Sequence, residues 1–288
     1  MSGLQGKVVL ITGGANGIGA ATATALVSRG ARVVLVDLDS DALGAIVERL
    51  GESASGVTGD VTELSDMEHA VEHAVERFGG LDVVVANAGI ASYGSITAVD
   101  PAVFQRLIDI NVVGVFHTVR AAVPALAARR GYVLIVSSAA AYAPAPGLAA
   151  YNASKAGVEH LANAVRLELG FRGVDVGSAH MSWIDTPMVR DARRDLSAFG
   201  QMLSSLPGPL GATTSAEACA EAFARGIERR SARVNVPGWV GVLRWLKPVL
   251  TSRFAARQGM SDAEQNLAQM DEEVARLGRS ASERVSVP

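Results

Sequence analysis

Short apolar runs recur along this chain, and polar residues close each of them. The first run, at residues 8–11, ends at Thr12 and a cluster of glycines, and the next, at 33–36, ends at Asp37. Stretches with helical patterns separate the runs. Continuous apolar strands that alternate with helices indicate a parallel sheet covered on both faces. Since crossovers between parallel strands are right-handed, the pattern predicts a doubly wound α/β fold with ligands at the carboxyl ends of the strands.

The polar residues that close the runs give the first indication of function, because they all fall at those carboxyl ends. They are residues 12–19, Asp37, Asp60, Asn87 and Ser138. The predicted strands lie at residues 8–11, 33–36, 55–58, 83–85, 133–136 and 174–179, and the predicted helices between them at 18–29, 42–50, 64–78, 101–128 and 151–170. We therefore expect one site along this edge of the sheet.

Three regions of the chain are expected. Residues 1–236 should form one α/β domain without internal repeats. Within it, residues 180–214 are rich in Pro, Gly, Ser and Thr with helical parts at 187–203, which is typical of a mobile lid or substrate loop. Residues 237–288 should form a helical C-terminal extension, with a helix at 261–277 and a disordered end from 278 onwards.

Charge and cysteine content exclude several function classes. The net charge is −3 (26 − 29) without a basic tract, so we expect no nucleic-acid partner. The one cysteine, Cys219, allows no disulfide within the chain and is poor material for a metal site. The N-terminus lacks the pattern of a signal peptide, and no long uncharged apolar run predicts a membrane-spanning helix. We expect a cytoplasmic protein without a metal.

The glycine-rich stretch after the first strand is a candidate phosphate-binding loop. Glycines allow positive φ angles and a close approach to a pyrophosphate, and the start of the following helix adds unpaired N–H groups. The spacing differs from the general G-x-G-x-x-G pattern, and tight packing alone is the alternative explanation. The residues expected to contact a dinucleotide are Gly13, Asn16, Gly17, Ile18 and Gly19.

Asp37 lies 18 residues beyond Gly19, at the end of the second predicted strand. A carboxylate there accepts hydrogen bonds from the adenosine ribose hydroxyls and repels a 2′-phosphate. No Arg or Lys at Asn16, Leu38 or Asp39 offsets that repulsion. The sequence therefore favours NAD(H) over NADP(H). A solvated loop acid, or a cap for the next helix, is the alternative role for this residue.

Tyr151 and Lys155 lie four residues apart at the start of a predicted helix, so their side chains share one face. A free tyrosine has a pKa of about 10 and is a poor base at neutral pH. A positive charge about 4–6 Å away favours the phenolate and lowers that pKa. The pair is therefore a candidate for proton transfer near neutral pH. The same spacing is also that of a half-buried tyrosine beside a solvated lysine.

The chain resembles the classical short-chain dehydrogenase/reductase family over about residues 4–236. The resemblance rests on the glycine loop, Asn87-Ala88-Gly89, Ser138 and the pair Tyr151 and Lys155, which occur in the family's order. It implies a Rossmann-type domain, a nicotinamide cofactor and hydride transfer between an alcohol and a carbonyl. It also implies a homodimer or homotetramer formed through the helices that hold Asn111 and Tyr151.

The resemblance implies a role for each catalytic residue. Tyr151 would be the acid or base, and Lys155 would lower its pKa and bind the nicotinamide ribose. Ser138, which lies 13 residues before Tyr151 as in the family, would hold the substrate oxygen, with Ser137 as the alternative. Asn111 would hold a water for proton relay, or would be an ordinary polar residue of its helix.

The remaining cofactor contacts also follow from the resemblance. Asp60 and Val61 would contact adenine, and Asn87 would steady the sheet beside the cofactor. The backbone of Ile184 and Thr186 would meet the nicotinamide carboxamide. However, the family's usual Pro-Gly after the sixth strand is missing here. The cofactor set is completed by Ala88, Gly89, Tyr151 and Lys155, and the stretch that replaces Pro-Gly reads His180-Met181-Ser182-Trp183.

The substrate is left open by the sequence, which favours a hydrophobic secondary alcohol or ketone of steroid, lipid or terpenoid type. The loop and the extension carry mostly apolar large residues, namely Trp183, Met188, Phe199, Met202, Trp239 and Trp245. A non-catalytic NAD-binding regulator, or an epimerase or dehydratase on the same fold, is the alternative function. Residues 239–250 mix Trp and Leu with Arg and Lys. Contact with a membrane surface would suit that mixture, but we favour a packing arm of an oligomer.

Overall fold

The computed structural model describes residues 3–253 and 260–281 of the chain. The strands are β1 (Val8–Thr12), β2 (Arg32–Asp37), β3 (Ala54–Thr58), β4 (Val83–Ala86), β5 (Tyr132–Val136), β6 (Asp175–Met181), β7 (Ile184–Asp185), β8 (Thr214–Ser215) and β9 (Arg233–Val236). Seven of them form one sheet in the order β3-β2-β1-β4-β5-β6-β9, and β7 pairs with β8. All pairings are parallel. The strand order reverses between β1 and β4, which is where such sheets open a ligand crevice.

The helices cover both faces of this sheet. They are α1 (Gly17–Val27), α2 (Ser40–Leu50), α3 (Leu64–Phe78), α4 (Pro101–Ile108), α5 (Gly114–Arg129), α6 (Ala149–Gly170), α7 (Pro187–Asp195), α8 (Ser197–Ser205), α9 (Ala216–Glu228), α10 (Val240–Leu250) and α11 (Met260–Leu277). Helices α1, α2 and α9 pack on one face, and α3, α5 and α6 pack on the other. The doubly wound α/β fold predicted from the sequence is confirmed.

Strands β1, β4 and β5 are buried along their whole length because helices cover both faces of the sheet. In β1, Val9 and Ile11 belong to the core cluster under α1, while Val8 and Leu10 belong to the cluster under α3 and α5. Successive side chains of a strand point to opposite faces. A strand between two helical layers therefore loses its alternating pattern and reads as a continuous apolar run. This is why the six predicted strands coincide with β1 to β6.

The seventh strand of the sheet, β9, is missing from the predicted strands. Its sequence alternates Arg233 and Asn235 with two valines, and only the valines are buried. It lies at the edge of the sheet beside β6. A four-residue edge strand with a polar face gives too weak a pattern to stand out, because half of its side chains do not face the core.

The predicted helix at residues 101–128 is interrupted. A π-helical turn, Asp109–Val113, joins α4 to α5 and contains Asn111. The run Pro101–Arg129 is long and apolar enough to cross a membrane, but 44% of its most apolar window is buried inside the protein. The core helix of a folded domain passes the same test, and α5 packs on α3 and β4. This run is therefore weak evidence for a membrane span.

The helical parts predicted at residues 187–203 correspond to α7 and α8, and β6 extends into the segment as far as Met181. One prediction about the tail needs correction. Residues 278–281 are not disordered: the Tyr93 amide donates to the Ser280 carbonyl at 2.8 Å, and Ala281 forms a β-bridge with Ser92. Residues 282–288, which we also expected to be disordered, lie outside the described residues.

Candidate active site

The glycine loop connects β1 to α1 and is folded too tightly for larger residues. Gly13 and Gly17 have φ angles of 63° and 53°. A Cβ atom at Gly19 would lie 2.0 Å from the Gly13 carbonyl oxygen, and one at Gly13 would lie 2.9 Å from the Cα of Ala88. The Asn16 side chain does not cap α1, so the N–H groups of its first turn, including that of Ile18, can receive a phosphate. The loop therefore fits the pyrophosphate of a dinucleotide.

Asp37 ends β2 beside the glycine loop. Its carboxylate accepts a hydrogen bond from the Ala15 amide at 2.9 Å and one from the Asp39 amide at 3.3 Å. Each carboxylate oxygen keeps a free lone pair. Asp37 thus supports the loop and presents a partly exposed negative charge where the ribose of a bound dinucleotide would lie. The alternative role, a cap for α2, belongs to Asp39, which accepts from the Ala42 amide.

Asp60, just beyond β3, has protein partners for both oxygens. The Thr62 amide donates to it at 2.8 Å, and Arg106 forms an ion pair at 2.9 Å. Burial alone would raise the pKa of Asp60, but the hydrogen bonds from Thr62 and Arg106 hold it below the usual value. The following residue, Val61, is buried against α5, where a Cβ at Gly114 would touch it. Asp60 and Val61 are therefore held in fixed positions at the β3 end of the crevice.

Asn87 ties the end of β4 to the glycine loop. Its side-chain amide donates to the carbonyls of Thr12 at 2.9 Å and Gly13 at 3.1 Å. The Thr12 hydroxyl in turn accepts from the amides of Asn87 and Ala88. We expected Thr12 at this edge of the sheet but assigned it no contact, although its position at the end of β1 could have indicated one. These contacts fix the crevice between β1 and β4.

Lys155 is buried at the other side of the same crevice. Its Nζ donates to the Val136 carbonyl at 3.1 Å and lies 5.6 Å from the centroid of the Tyr151 ring. A Cβ at Gly89 would lie 3.3 Å from this Nζ and 3.1 Å from Asn111 Oδ1. Burial lowers the pKa of Lys155 to about 8. The ammonium is therefore held among the carboxyl ends of β4 and β5, and is mostly charged at neutral pH.

Asn111 is fully buried in the π-helical turn. Its amide nitrogen donates to the Ile90 carbonyl at 2.9 Å and to the Ser154 hydroxyl at 3.0 Å, while Oδ1 accepts from the Ile90 amide at 2.8 Å. Both donors are thus used within the protein, and one lone pair of Oδ1 remains. π-Helical turns often mark functional positions. Through the hydrogen bonds of Asn111, this one links the loop after β4 to the helix that contains Tyr151.

Tyr151 differs from the sequence-based expectation in its pKa. Burial raises the pKa of Tyr151, and an interaction with Ser138 opposes that shift. We expected Lys155 to lower this pKa. Instead, the ammonium is directed to the Val136 carbonyl, and the phenol is half-buried. The structure therefore brings the side chains of Ser138, Tyr151 and Lys155 together but leaves the Tyr151 phenol protonated at neutral pH.

The two serines after β5 have separate environments. Ser137 is fully buried and donates to the Lys155 carbonyl at 2.8 Å. Ser138 is partly exposed, accepts from the Ala140 amide at 3.2 Å and interacts with the Tyr151 phenol. Only Ser138 therefore has a hydroxyl that faces the tyrosine, whereas Ser137 fastens α6 to the sheet.

His180 was missed as a site residue, although it stands beside the absent Pro-Gly. Its ring is fully buried, with Nδ1 3.3 Å from the Ser138 carbonyl and Nε2 2.9 Å from the Tyr142 hydroxyl and 3.0 Å from that of Ser178. It also stacks on Tyr142 at 4.5 Å between centroids. Burial lowers the pKa of His180 to about 4. A neutral imidazole thus supports the main chain at Ser138.

Ile184 and Thr186 lie across the crevice from the glycine loop. Ile184 is buried in β7, and Thr186 begins α7 with its hydroxyl accepting from the Val189 amide at 3.4 Å. A Cβ at Gly17 would lie 3.4 Å from the methyl carbon of Thr186. Despite the missing Pro-Gly, the chain after β6 therefore returns to the edge of the dinucleotide crevice.

An apolar cluster adjoins Tyr151 on the side away from the glycine loop. Tyr93 and Phe199 meet edge to face at 5.4 Å, and so do Phe199 and Trp183. The partly buried members of the cluster include Tyr151, Trp183, Met188 and Met202. Trp245, which the sequence grouped with these residues, instead lies on α10 and is 76% exposed. The cluster provides an apolar surface beside the phenol.

Known proteins resemble this chain in sequence and in fold. A family model described as short chain dehydrogenase matches residues 7–197. The 3-alpha-(or 20-beta)-hydroxysteroid dehydrogenase of Mycobacterium tuberculosis is 40% identical over 190 residues, which cover 65% of this chain and 73% of that protein. The (-)-trans-carveol dehydrogenase of Rhodococcus erythropolis is 37% identical over 209 residues, covering 66% and 76% of the two chains.

A solved structure gives the same result for the fold. The crystal structure of 3-ketoacyl-(acyl-carrier-protein) reductase from Brucella melitensis complexed with NADH matches with a TM-score of 0.73 and 30% identity, over 81% of this chain and 97% of that one. The fold and the crevice define an NAD-dependent oxidoreductase that acts on CH–OH groups. The chain belongs to the short-chain dehydrogenase/reductase family.

The buried His180 generates a prediction about acid stability. Its pKa is about 4 in the folded protein against 6.5 for the free side chain, so the unfolded chain binds the extra proton first. The free energy of unfolding should therefore fall as the pH drops from about 6.5 towards 4, by about 2–3 kcal/mol at pH 4.5. Urea unfolding at pH 7 and pH 4.5 measures it.

The matched variant is His180→Gln, which cannot titrate. Between pH 7 and pH 4.5, its free energy of unfolding should fall by about 2–3 kcal/mol less than that of the unmodified protein. This difference does not depend on how stable the variant is at pH 7. An equal loss in both proteins would contradict the assignment of a neutral, buried imidazole.

Proposed function

We propose that the protein transfers hydride between NAD(H) and a hydrophobic secondary alcohol or ketone, with Tyr151 as the acid or base. The observation that carries the proposal is the position of the Tyr151 phenol. Its ring lies 5.6 Å from the buried Lys155 ammonium and packs against the apolar cluster that contains Trp183 and Phe199. The similarity to a hydroxysteroid dehydrogenase and to a carveol dehydrogenase supports an apolar, ring-containing substrate.

In the proposed mechanism, Ser138 and Tyr151 hold the substrate oxygen. For oxidation, the phenolate of Tyr151 takes the hydroxyl proton; for reduction, the phenol returns it. The nicotinamide cofactor supplies the redox chemistry by accepting or donating the hydride. Lys155 keeps a positive charge on the cofactor side of Tyr151, which favours the phenolate once the ammonium can approach the phenol. Oxidation passes the alcohol proton to Tyr151, so raising the pH should favour oxidation until Lys155, whose pKa burial lowers to about 8, loses its charge.

The proposed cofactor site follows the crevice from β3 to β6. The glycine loop would hold the pyrophosphate, Asp37 the adenosine ribose, and Asp60 with Val61 the adenine. Lys155 and Tyr151 would hold the nicotinamide ribose, and Asn111 would support a water through its remaining lone pair. The other members of the proposed site are Asn87, Ala88, Gly89, Ile184 and Thr186.

Assembly and location form the less specific part of the proposal. We propose a cytoplasmic homodimer or homotetramer that forms through α4, α5 and α6. Phe104 on α4 is 38% exposed and Phe116 on α5 is 47% exposed, and Leu167 and Phe171 at the end of α6 are exposed further still. Burying these side chains against a second copy would remove a large apolar area from water.

Turnover of a hydrophobic alcohol tests the function and the role of Tyr151 together. With NAD⁺ and a panel of cyclic secondary alcohols, the protein should produce NADH, followed by its absorbance. Tyr151→Phe removes the proton-transfer group while keeping the ring, so kcat should fall at least about 10²-fold. NADH binding, measured by calorimetry, should weaken by at most about tenfold, because the variant loses one of several hydrogen bonds to the dinucleotide.

The control is Tyr132→Phe, which removes a buried hydroxyl that donates to the Ser231 carbonyl at the opposite end of the sheet. It should lower stability but leave kcat unchanged. Near-normal turnover by Tyr151→Phe would rule out the proposed acid or base. NADH binding without turnover of any panel member would instead favour the regulator.

Cofactor preference tests the role of Asp37. Asp37→Asn keeps an acceptor for the Ala15 amide but removes the negative charge. Affinity for NADH should fall about tenfold, while affinity for NADPH should rise, because repulsion of the 2′-phosphate is lost. Calorimetry with both dinucleotides measures the two changes. Asp41→Asn, an exposed acid on α2, is the control, and tighter binding of NADPH by the unmodified protein would contradict the proposal.

A further inference from the structure

The last described part of the chain, residues 264–281, lies against the active site; we name it the C-terminal strap. It lies beyond the residues matched by the family model, which end at 197. On one side it holds the loop after β4: the Ser95 amide donates to Asp271 at 2.7 Å, and the Tyr93 amide donates to the Ser280 carbonyl at 2.8 Å. The Tyr93 ring packs edge to face on Phe199, and both belong to the apolar cluster that adjoins Tyr151.

On its other side the strap holds the junction of α7 and α8. Arg279 forms an ion pair with Asp195, the last residue of α7, at 2.9 Å. Glu273 accepts from the Ala198 amide at 3.1 Å and from the Ser197 hydroxyl, both in the first turn of α8. The strap thus connects the two walls of the apolar cluster, which also meet where Tyr93 packs edge to face on Phe199.

Glu273 acts as the cap that α8 lacks in its own sequence. The residue before α8 is Leu196, whose side chain cannot accept a hydrogen bond. The carboxylate of Glu273 supplies that acceptor from a helix far along the chain, and it stabilises the positive end of the helix dipole. Glu273 is buried, which alone would raise its pKa, but hydrogen bonds from Ser197, Ala198 and Gln269 hold the pKa below the usual value. The position of α8 therefore depends on this contact.

The apolar face of the strap belongs to the cluster beside Tyr151. Met270 is 2% exposed and Val274 is 6% exposed, and both lie in the cluster that contains Phe199. Met270 also reaches the loop that precedes the Tyr151 helix: a Cβ at Gly147 would lie 2.6 Å from its sulfur. A flexible thioether is thus packed between the catalytic helix and the substrate-side helix α8.

We propose that the C-terminal strap forms a wall of the alcohol site, in which Met270 limits the size of the substrate and Glu273 is a positioning residue for α8. The inference rests on the proposed function, since it concerns the substrate of that same site. A smaller residue at position 270 would leave room between α8 and the loop at Gly147. A larger one would push into the same space.

The test compares two alcohols of different size, a hydroxysteroid and cyclohexanol. Met270→Ala should raise the ratio of kcat/KM for the hydroxysteroid to that for cyclohexanol about tenfold, because a few methylene groups of pocket wall discriminate at this level. Met270→Phe should lower the ratio by a similar factor. Met270→Leu, which keeps the volume, should leave it within about twofold.

Opposite shifts by the smaller and the larger residue cannot come from a general loss of stability. An unchanged ratio in Met270→Ala and Met270→Phe, or in whichever of these two variants folds, would overturn the role of Met270. If the unmodified protein oxidises neither alcohol, nor reduces the matching ketones, the proposed function itself fails, and this inference falls with it.

The positioning role of Glu273 has a matched control in the next residue. Glu273→Gln should raise KM for the hydroxysteroid about tenfold with kcat within about twofold, because α8 loses its charged cap while the proton-transfer groups are untouched. Glu272→Gln, an exposed acid on the same helix, should change neither value. The role is overturned if Glu273→Gln behaves like Glu272→Gln, or if its kcat falls as much as its KM rises.

Discussion

Two hydrogen bonds hold the start of α6 against the end of β5 and thereby bring the proposed catalytic residues together. Lys155 Nζ donates to the Val136 carbonyl, and Ser137 Oγ donates to the Lys155 carbonyl at 2.8 Å. Each uses a buried polar group that would cost free energy if it were left without a partner. Together they fix the start of α6 against the end of β5. Ser138 and Tyr151 lie between these contacting residues in the sequence, and they are thereby held on the same side of the crevice.

The sheet carries this arrangement because its strands are parallel. The carboxyl ends of β1, β4, β5 and β6 meet at one edge, so residues far apart in sequence become neighbours there. Asn87 joins two of these strand ends, and His180 joins the next two. His180, a buried and neutral histidine of β6, contacts the Ser138 carbonyl just before the stretch where the family's Pro-Gly is missing. The proposed site at Tyr151 is thus supported by hydrogen bonds that extend beyond the family motifs.

The sequence predicts what depends on local pattern and chemistry. Apolar runs such as 33–36 identify strands because both faces of the sheet are covered, and the spacing of Tyr151 and Lys155 identifies a shared helix face. It does not identify β9, whose arginine and asparagine interrupt the pattern. It also does not give the direction of the Tyr151 pKa, because burial depends on distant residues. For the same reason the contact between Glu273 and α8, 75 residues apart, leaves no local signal.

The strap contacts the apolar cluster beside Tyr151 although it lies outside the residues matched by the family model. Glu273 and Asp271 are two acids in a charged, amphipathic helix, and such residues usually face solvent. Here the fold directs them to unpaired N–H groups beside the apolar cluster.

A structure of the protein with NADH tests the central claim most directly. The account predicts that Tyr151 Oη, Ser138 Oγ and Lys155 Nζ all face the bound nicotinamide and its ribose; a nicotinamide bound away from Tyr151, with these three groups directed elsewhere, would contradict it.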